Sequence, residues 1–147
     1  MSVMMYMEGP RGIEDCLSLA RYIRQISVKN HGLDTTFIDM TNIENFRNAI
    51  KPGKTRMVWI ETPTNPTLKL IDIEEVCKIA KENGILSVVD NTFATPYLQS
   101  PLLLGADYCV NSGTKYLGGH SDVVFGTVTM KSDELQKALF FSSKSTG

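Results

Sequence analysis

At 147 residues the chain is long enough for one domain with a real core, since a domain of about 150 residues buries roughly 70% of its unfolded surface; a two-domain enzyme would be cramped. A hydrophobic share of 42% and a charged share of 21% exclude disorder and fibrous repeats as first readings. The 15 basic and 16 acidic residues leave a formal charge of -1, which gives no electrostatic reason for a nucleic-acid or anionic-membrane partner.

Cys16, Cys77 and Cys109 are odd in number, widely spaced and without a C-x-x-C pair, so neither a disulfide framework nor a zinc knuckle is expected and a reducing, cytoplasmic setting fits. The opening MSVMMYMEGPRG is Met-rich and apolar but lacks the charged n-region and long h-region of an export signal. With no run of about 20 apolar residues anywhere, no membrane span is expected either.

Regular patterning begins at Asp34, where DTTFID reads as a short strand. Thr41 and Glu44 have the spacing of a capping box, and Ile43, Phe46 and Ile50 then recur on one helical face until Pro52 and Gly53. A strand is predicted at TRMVWI, residues 55–60, followed by ETPTNPT, whose Pro63 and Pro66 exclude both helix and central strand. Asp72 caps the next predicted helix, with Ile73, Val76, Cys77 and Ala80 as its apolar stripe and Gly84 as its stop. ILSVV, residues 85–89, is continuously apolar, as expected of a strand covered on both faces, and ends abruptly on Asp90, Asn91 and Thr92. A short helical piece is predicted over residues 99–104, then a strand at ADYCV, the polar loop NSGTKYLGGHSD, a strand candidate at VVFGTVTM, and a helix from Asp133 with acids in its first turn.

Such alternation points to an α/β layer with a largely parallel sheet. Ligands of such sheets gather at the carboxyl ends of the strands, and those ends carry ETPTNP, DNTF and NSGTKYLGGHSD. Asp90 alone reads best as a cap or turn residue, and Lys115 alone as solvated surface. Together the clusters suggest more: a carboxylate, a lysine near two hydroxyls flanking Gly113, and an amide at Asn65. Lysine forms Schiff bases with carbonyl compounds, and a desolvated lysine can serve as nucleophile and then as base. The hydroxyls of Ser112 and Thr114 suit a phosphate, and a carboxylate opposite could hold a pyridinium proton, the arrangement expected for pyridoxal 5'-phosphate (PLP). A Walker A loop fails because Tyr116, not Ser or Thr, follows the lysine, and no G-x-G-x-x-G follows a strand. His31 and His120 have no partner at ligand spacing, so no metal is expected and hydrogen bonding is the better reading for both.

The strings ETPTNP (61–66), VVDNTF (88–93) and SGTKYLGGHSDVV (112–124) resemble, in the same order, the trans-sulfuration (Cys/Met metabolism) family of PLP-dependent enzymes. The resemblance runs from about Arg21 to Gly147, and its longest motif, DYCVNSGTKYLGGHS from Asp107, is highly specific. It implies the fold type I large domain, with residues 1–20 a divergent segment and 21–147 the central part of the PLP-binding domain. It also implies roles. Lys115 would bind PLP covalently and carry protons as base and acid; Asp90 would bond the pyridine nitrogen; Ser112 and Thr114 would bind the phosphate. Asn65 would lie near the ring's phenolic oxygen, Thr92 would support the ring, and Arg21, aligned with an N-R-Y segment, would lie near the substrate, while Glu61 is read as packing. The implied reaction is α,γ-elimination of cystathionine to cysteine, 2-oxobutanoate and ammonia, with hydrogen sulfide release as a side activity; other family reactions on related thioethers share these motifs. The implied full-length assembly is a homotetramer.

Ahead of Arg21 the motif stops: where the family carries D-x-Y-G-G-T-N-R-Y, this chain has Cys16 in place of the tyrosine that stacks on the ring. The upstream Y-x-R segment and the carboxyl-terminal domain are also missing from the match. The expectation is therefore a chain truncated at both ends. Either it is part of a lyase whose activity belongs to the complete protein, or it is a product without lyase activity that at most associates with full-length subunits.

Overall fold

The computed structural model describes residues 2–6 and 34–146, with residues 2–6 and 142–146 described as backbone. Six strands form one sheet in the order β2-β1-β3-β4-β5-β6. In chain order these are β1 (Ser2–Tyr6), β2 (Asp34–Phe37), β3 (Thr55–Glu61), β4 (Leu86–Asp90), β5 (Tyr108–Ser112) and β6 (Gly126–Met130). All neighbours run parallel except β6, which pairs antiparallel with β5 and closes that edge. The expected mostly parallel α/β layer is what forms. The opening SVMMY, residues 2–6, in which the sequence reading places no strand, supplies β1 between β2 and β3. Its continuous apolar character gives no period to distinguish strand from other structure.

Four α-helices are described: α1 (Ile43–Ala49), α2 (Ile73–Glu82), α3 (Thr95–Leu98) and α4 (Asp133–Thr146). α1 starts one residue later than the capping box implies. Asn42, not Thr41, is the cap, its Oδ1 accepting from the Glu44 amide at 3.1 Å, while the Thr41 hydroxyl is drawn to Asp39 at 2.6 Å. Asp72 caps α2 as expected, accepting from the Glu75 amide at 3.0 Å. At its other end Gly84 takes φ +64, so the Ile85 amide can reach back to the Ala80 carbonyl at 2.8 Å. The helical piece expected over 99–104 is displaced: the helix is α3, and residues 101–105 form tight turns. Pro96 near the start of α3 suits a first turn, which needs no amide there.

α1 and α2 cover one face of the sheet. Phe46, Val76, Ile79 and Ala80 pack with Val58, Ile60 and Val89 in a single cluster, each at most 2% exposed. Burial of a side chain such as Phe46 contributes about 1.5–3 kcal/mol, so this cluster anchors β3 and β4 as the floor of the rim above them. Val88 on the opposite face is 3% exposed, so β4 is covered on both sides, as its unbroken apolar run implies. At the amino ends, the Ser87 amide and hydroxyl both donate to Asp107 Oδ2, at 2.8 and 2.9 Å, fixing β4 against β5. Among the described residues no helix is long and apolar enough to cross a membrane.

Candidate active site

The carboxyl ends of β3, β4 and β5 stand side by side, with Glu61 registered on Asp90 and Asp90 on Val110. Residues in register on neighbouring strands share a face, so the Glu61 and Asp90 side chains leave the sheet on the same side. Beyond these ends lies a cavity of about 810 Å³, within the range of small-molecule sites, lined in part by Glu61, Asn65, Thr92, Phe93, Thr114 and Lys115. Three loops distant in sequence thus bring an amide, two hydroxyls and a primary amine to one space. Glu61, read from the sequence as packing, is half-buried and belongs to this lining.

Asp90 and Ser112 stand just outside the lining, tied to it through Thr92. The Thr92 amide donates to Asp90 Oδ1 at 3.0 Å, and the Thr92 hydroxyl oxygen accepts from the Ser112 amide at 2.8 Å. Asp90 therefore does act as a turn residue, and that role aims the loop carrying Thr92. Arg21 and Cys16 lie outside the described residues.

Lys115 sits in the wide turn Gly113–Leu117 that follows β5, at φ -85 and ψ -119, out of line with the helical residues around it. It is exposed, so the desolvation that would ready a lysine for nucleophilic work is not supplied by the described residues. Gly113 is required before it. A Cβ there would collide with the Phe125 ring, at Cδ2, Cε2 and Cζ. Phe125 is held in turn by Thr114, whose amide donates to the Phe125 carbonyl at 3.1 Å and whose hydroxyl accepts from the Phe125 amide at 3.1 Å. The hydroxyl proton has only a long contact to the Phe125 carbonyl, 3.3 Å, and can turn to an incoming anion.

Phe93 and Tyr116 also line the cavity, meeting edge to face with centroids 6.2 Å apart, and Ser121, Asp122, Val123 and Val124 complete one wall. The sequence reading did not single these out, although all lie within DNTF and the loop that follows Ser112. His120 bonds the Gly118 carbonyl through Nδ1 at 2.9 Å, in line with a hydrogen-bonding role.

The family model described as Cys/Met metabolism PLP-dependent enzyme matches residues 14–147. The chain belongs to this family of PLP-dependent enzymes. The match begins ahead of Arg21, where the motif-based resemblance stops. Among curated relatives, the putative cystathionine gamma-lyase 2 of Caenorhabditis elegans is 51% identical over 129 residues, covering 86% of this chain and 33% of the worm protein. The probable cystathionine gamma-synthase of Herpetosiphon aurantiacus is 53% identical, over 80% of this chain and 36% of its own length. A cystathionine beta-lyase of Lactococcus lactis is 51% identical over 79% of this chain and 30% of its own. Of solved structures, the metB protein of Corynebacterium glutamicum superposes with a TM-score of 0.86 at 38% identity, over 99% of this chain and 36% of that one. The cystathionine gamma-lyase of Lactobacillus plantarum, complexed with L-serine, superposes at 0.81 with 35% identity, over 92% and 34%. The chain spans about a third of the length of these relatives. Three differently named enzymes at nearly equal identity resolve the PLP family and leave the individual reaction open.

Proposed function

We propose that this chain is the central PLP-binding part of a carbon–sulfur lyase, residues 21–147 forming the core of its large domain. The observation that carries the reading is the convergence of Asn65, Thr92, Thr114 and Lys115 on one cavity at the carboxyl ends of parallel strands. The donor set fits the cofactor: an amine for the aldehyde, hydroxyls for a phosphate, an amide for a phenolic oxygen and a carboxylate for a ring nitrogen. PLP, when bound, supplies an electron sink for the carbon skeleton of an amino acid. Lys115 would hold the cofactor's aldehyde group, and its Nζ would serve as base and acid toward the substrate. Asp90 would bond the ring nitrogen, a carboxylate there favouring the protonated ring. Ser112 and Thr114 would bind the phosphate, Asn65 would bond the phenolic oxygen, Thr92 would support the ring, and Arg21 would lie near the substrate.

The reaction we assign to the complete protein is α,γ-elimination of L-cystathionine to cysteine, 2-oxobutanoate and ammonia, in cysteine biosynthesis, with hydrogen sulfide release alongside. Reactions of the γ-synthase, β-lyase and methionine γ-lyase kind remain its competitors within the family. A cytoplasmic setting accords with the free thiols of Cys77 and Cys109, and a homotetramer is the proposed assembly of the full-length protein. One observation favours a second reading, a form without lyase activity that associates with full-length subunits: Lys115 is exposed among the described residues.

The test is addition of PLP followed by borohydride reduction and peptide mapping, with cystathionine cleavage measured in parallel. A weak visible band, with label on Lys115 and none in Lys115→Ala, is expected. Label retained in Lys115→Ala would sink the lysine assignment, and measurable cleavage of cystathionine would remove the inactive reading.

A further inference from the structure

Next to the cavity, and lining none of it, a pair of amides joins the loops from which it is built. The Asn91 side chain is fully buried, and one residue answers it at both ends. Asn91 Oδ1 accepts from Gln99 Nε2 at 2.8 Å, and Asn91 Nδ2 donates to the Gln99 carbonyl at 2.9 Å. Gln99 Nε2 has a second acceptor, the carbonyl of Thr62, at 3.0 Å and 37 residues away. The Asn91 backbone is engaged as well, its amide on the Val110 carbonyl and its carbonyl on the Thr95 amide, both at 2.8 Å. One point thus ties together the first residue beyond β3, the first beyond β4, and β5 two residues before its end.

The residues so fixed are the immediate neighbours of the site. Asn91 lies between Asp90 and Thr92, and Thr62 starts the loop that carries Asn65. Just past Asn91, Thr95, the β-branched first residue of α3, is held at φ +68, a conformation such side chains avoid. It persists because the bonds around it over-determine the loop. Apolar side chains could fill the same volume; amides fix direction as well, because each donor has to meet its acceptor.

We infer that Asn91 and Gln99 are positioning residues, which set the spacing between the Asn65 loop and the Asp90–Thr92 turn and thereby the grip of the cavity on PLP. The inference deepens the PLP reading above and rests on it. Gln99→Met keeps the side-chain length and removes both donors. Two measurements are made on it: hydrogen exchange of the Thr92 and Ser112 amides against those of Val76 to Ala80 in α2, and PLP affinity by quenching of Trp59, the chain's single tryptophan.

The expected result is exchange at Thr92 and Ser112 faster by about tenfold or more with α2 unchanged, and PLP affinity weaker by about tenfold. Unchanged exchange at the rim, a uniform loss of protection that includes α2, or unchanged affinity despite a loosened rim would each overturn the inference. If Gln99→Met does not fold, Gln99→Ala, which leaves room for water at the two acceptors, gives the same readings. A wild-type chain that takes up no PLP refutes the cofactor reading and with it the claim about grip; selective loosening of the rim then still supports the spacing role.

Discussion

The Thr92 hydroxyl oxygen accepts the Ser112 amide at 2.8 Å across 20 residues of sequence, joining the turn after β4 to the last residue of β5. Thr92→Val keeps the shape and leaves that amide without its acceptor. Thr92 and Ser112 are half-buried, so a cost of about 1 kcal/mol is expected, at the lower end for a lost partner. Urea unfolding checks it: the midpoint falls in Thr92→Val with unchanged slope and recovers in Thr92→Ser. PLP uptake weakens in the same order.

Gly113→Ala tests the close approach of Phe125 to the backbone before Lys115. The added methyl carbon collides with the Cδ2, Cε2 and Cζ atoms of Phe125, so the ring or the turn has to move. Overpacking of this kind costs about 1–3 kcal/mol. Since Phe125 is held by backbone bonds to Thr114, displacement of the ring also disturbs the residue proposed for the phosphate. Phe125→Leu in the same chain removes the obstructing ring edge and should restore much of the thermal midpoint. A Gly113→Ala protein as stable as wild type would contradict the packing described.

Much of this could be read from the residues. Asp72, with Glu75 three residues on and Gly84 at the far end, carries its helix signals locally, and α2 forms where they place it. The strand-end motifs likewise mark the rim, because abrupt passage from apolar run to polar cluster is a local signal. What could not be read depends on distant partners. The opening SVMMY becomes β1 only because β2 and β3 leave a slot for it. Thr41 loses the cap of α1 to Asn42 because Asp39 engages its hydroxyl. Gln99 gives no sign in sequence that it will reach Thr62, and Glu61 shows its place at the cavity only once β3 is registered against β4.

The cap of α2 offers a change in stability separated from the site. Asp72→Ala removes the acceptor for the Glu75 amide and a negative charge at the helix start. A loss of about 1 kcal/mol is expected in urea unfolding, with Asp72→Asn close to wild type. Because α2 contributes nothing to the cavity lining, PLP affinity of the folded fraction should not change. A parallel drop in affinity would mean that the rim senses global stability, and would weaken any local interpretation of the rim variants.

Alkaline pH should destabilise the fold through Cys77 and Cys109, the two buried thiols among the described residues. Burial pushes Cys77 above the ordinary 9.0, outweighing the lowering by a hydrogen bond with Ser87, and nearby Asp107 adds to the rise. Burial likewise raises Cys109, against hydrogen bonds from Asn111 and Thr129, with the charge of Asp90 adding to the rise. In the unfolded chain both thiols ionise near 9.0, while the folded protein keeps its protons to higher pH. The folded state then binds more protons than the unfolded one, so the stability of unfolding falls as pH rises. This contribution is complete below 9.0 and is lost as pH climbs from there through the raised folded values; each tenfold difference in proton affinity is worth about 1.4 kcal/mol. Urea midpoints measured from neutral to alkaline pH should show the decline, and the slope should flatten in Cys77→Ala/Cys109→Ala even though that variant begins less stable. The same burial makes both thiols slow to react with an alkylating reagent until urea opens the core. Rapid labelling of Cys77 in the native protein would contradict its place on the buried face of α2.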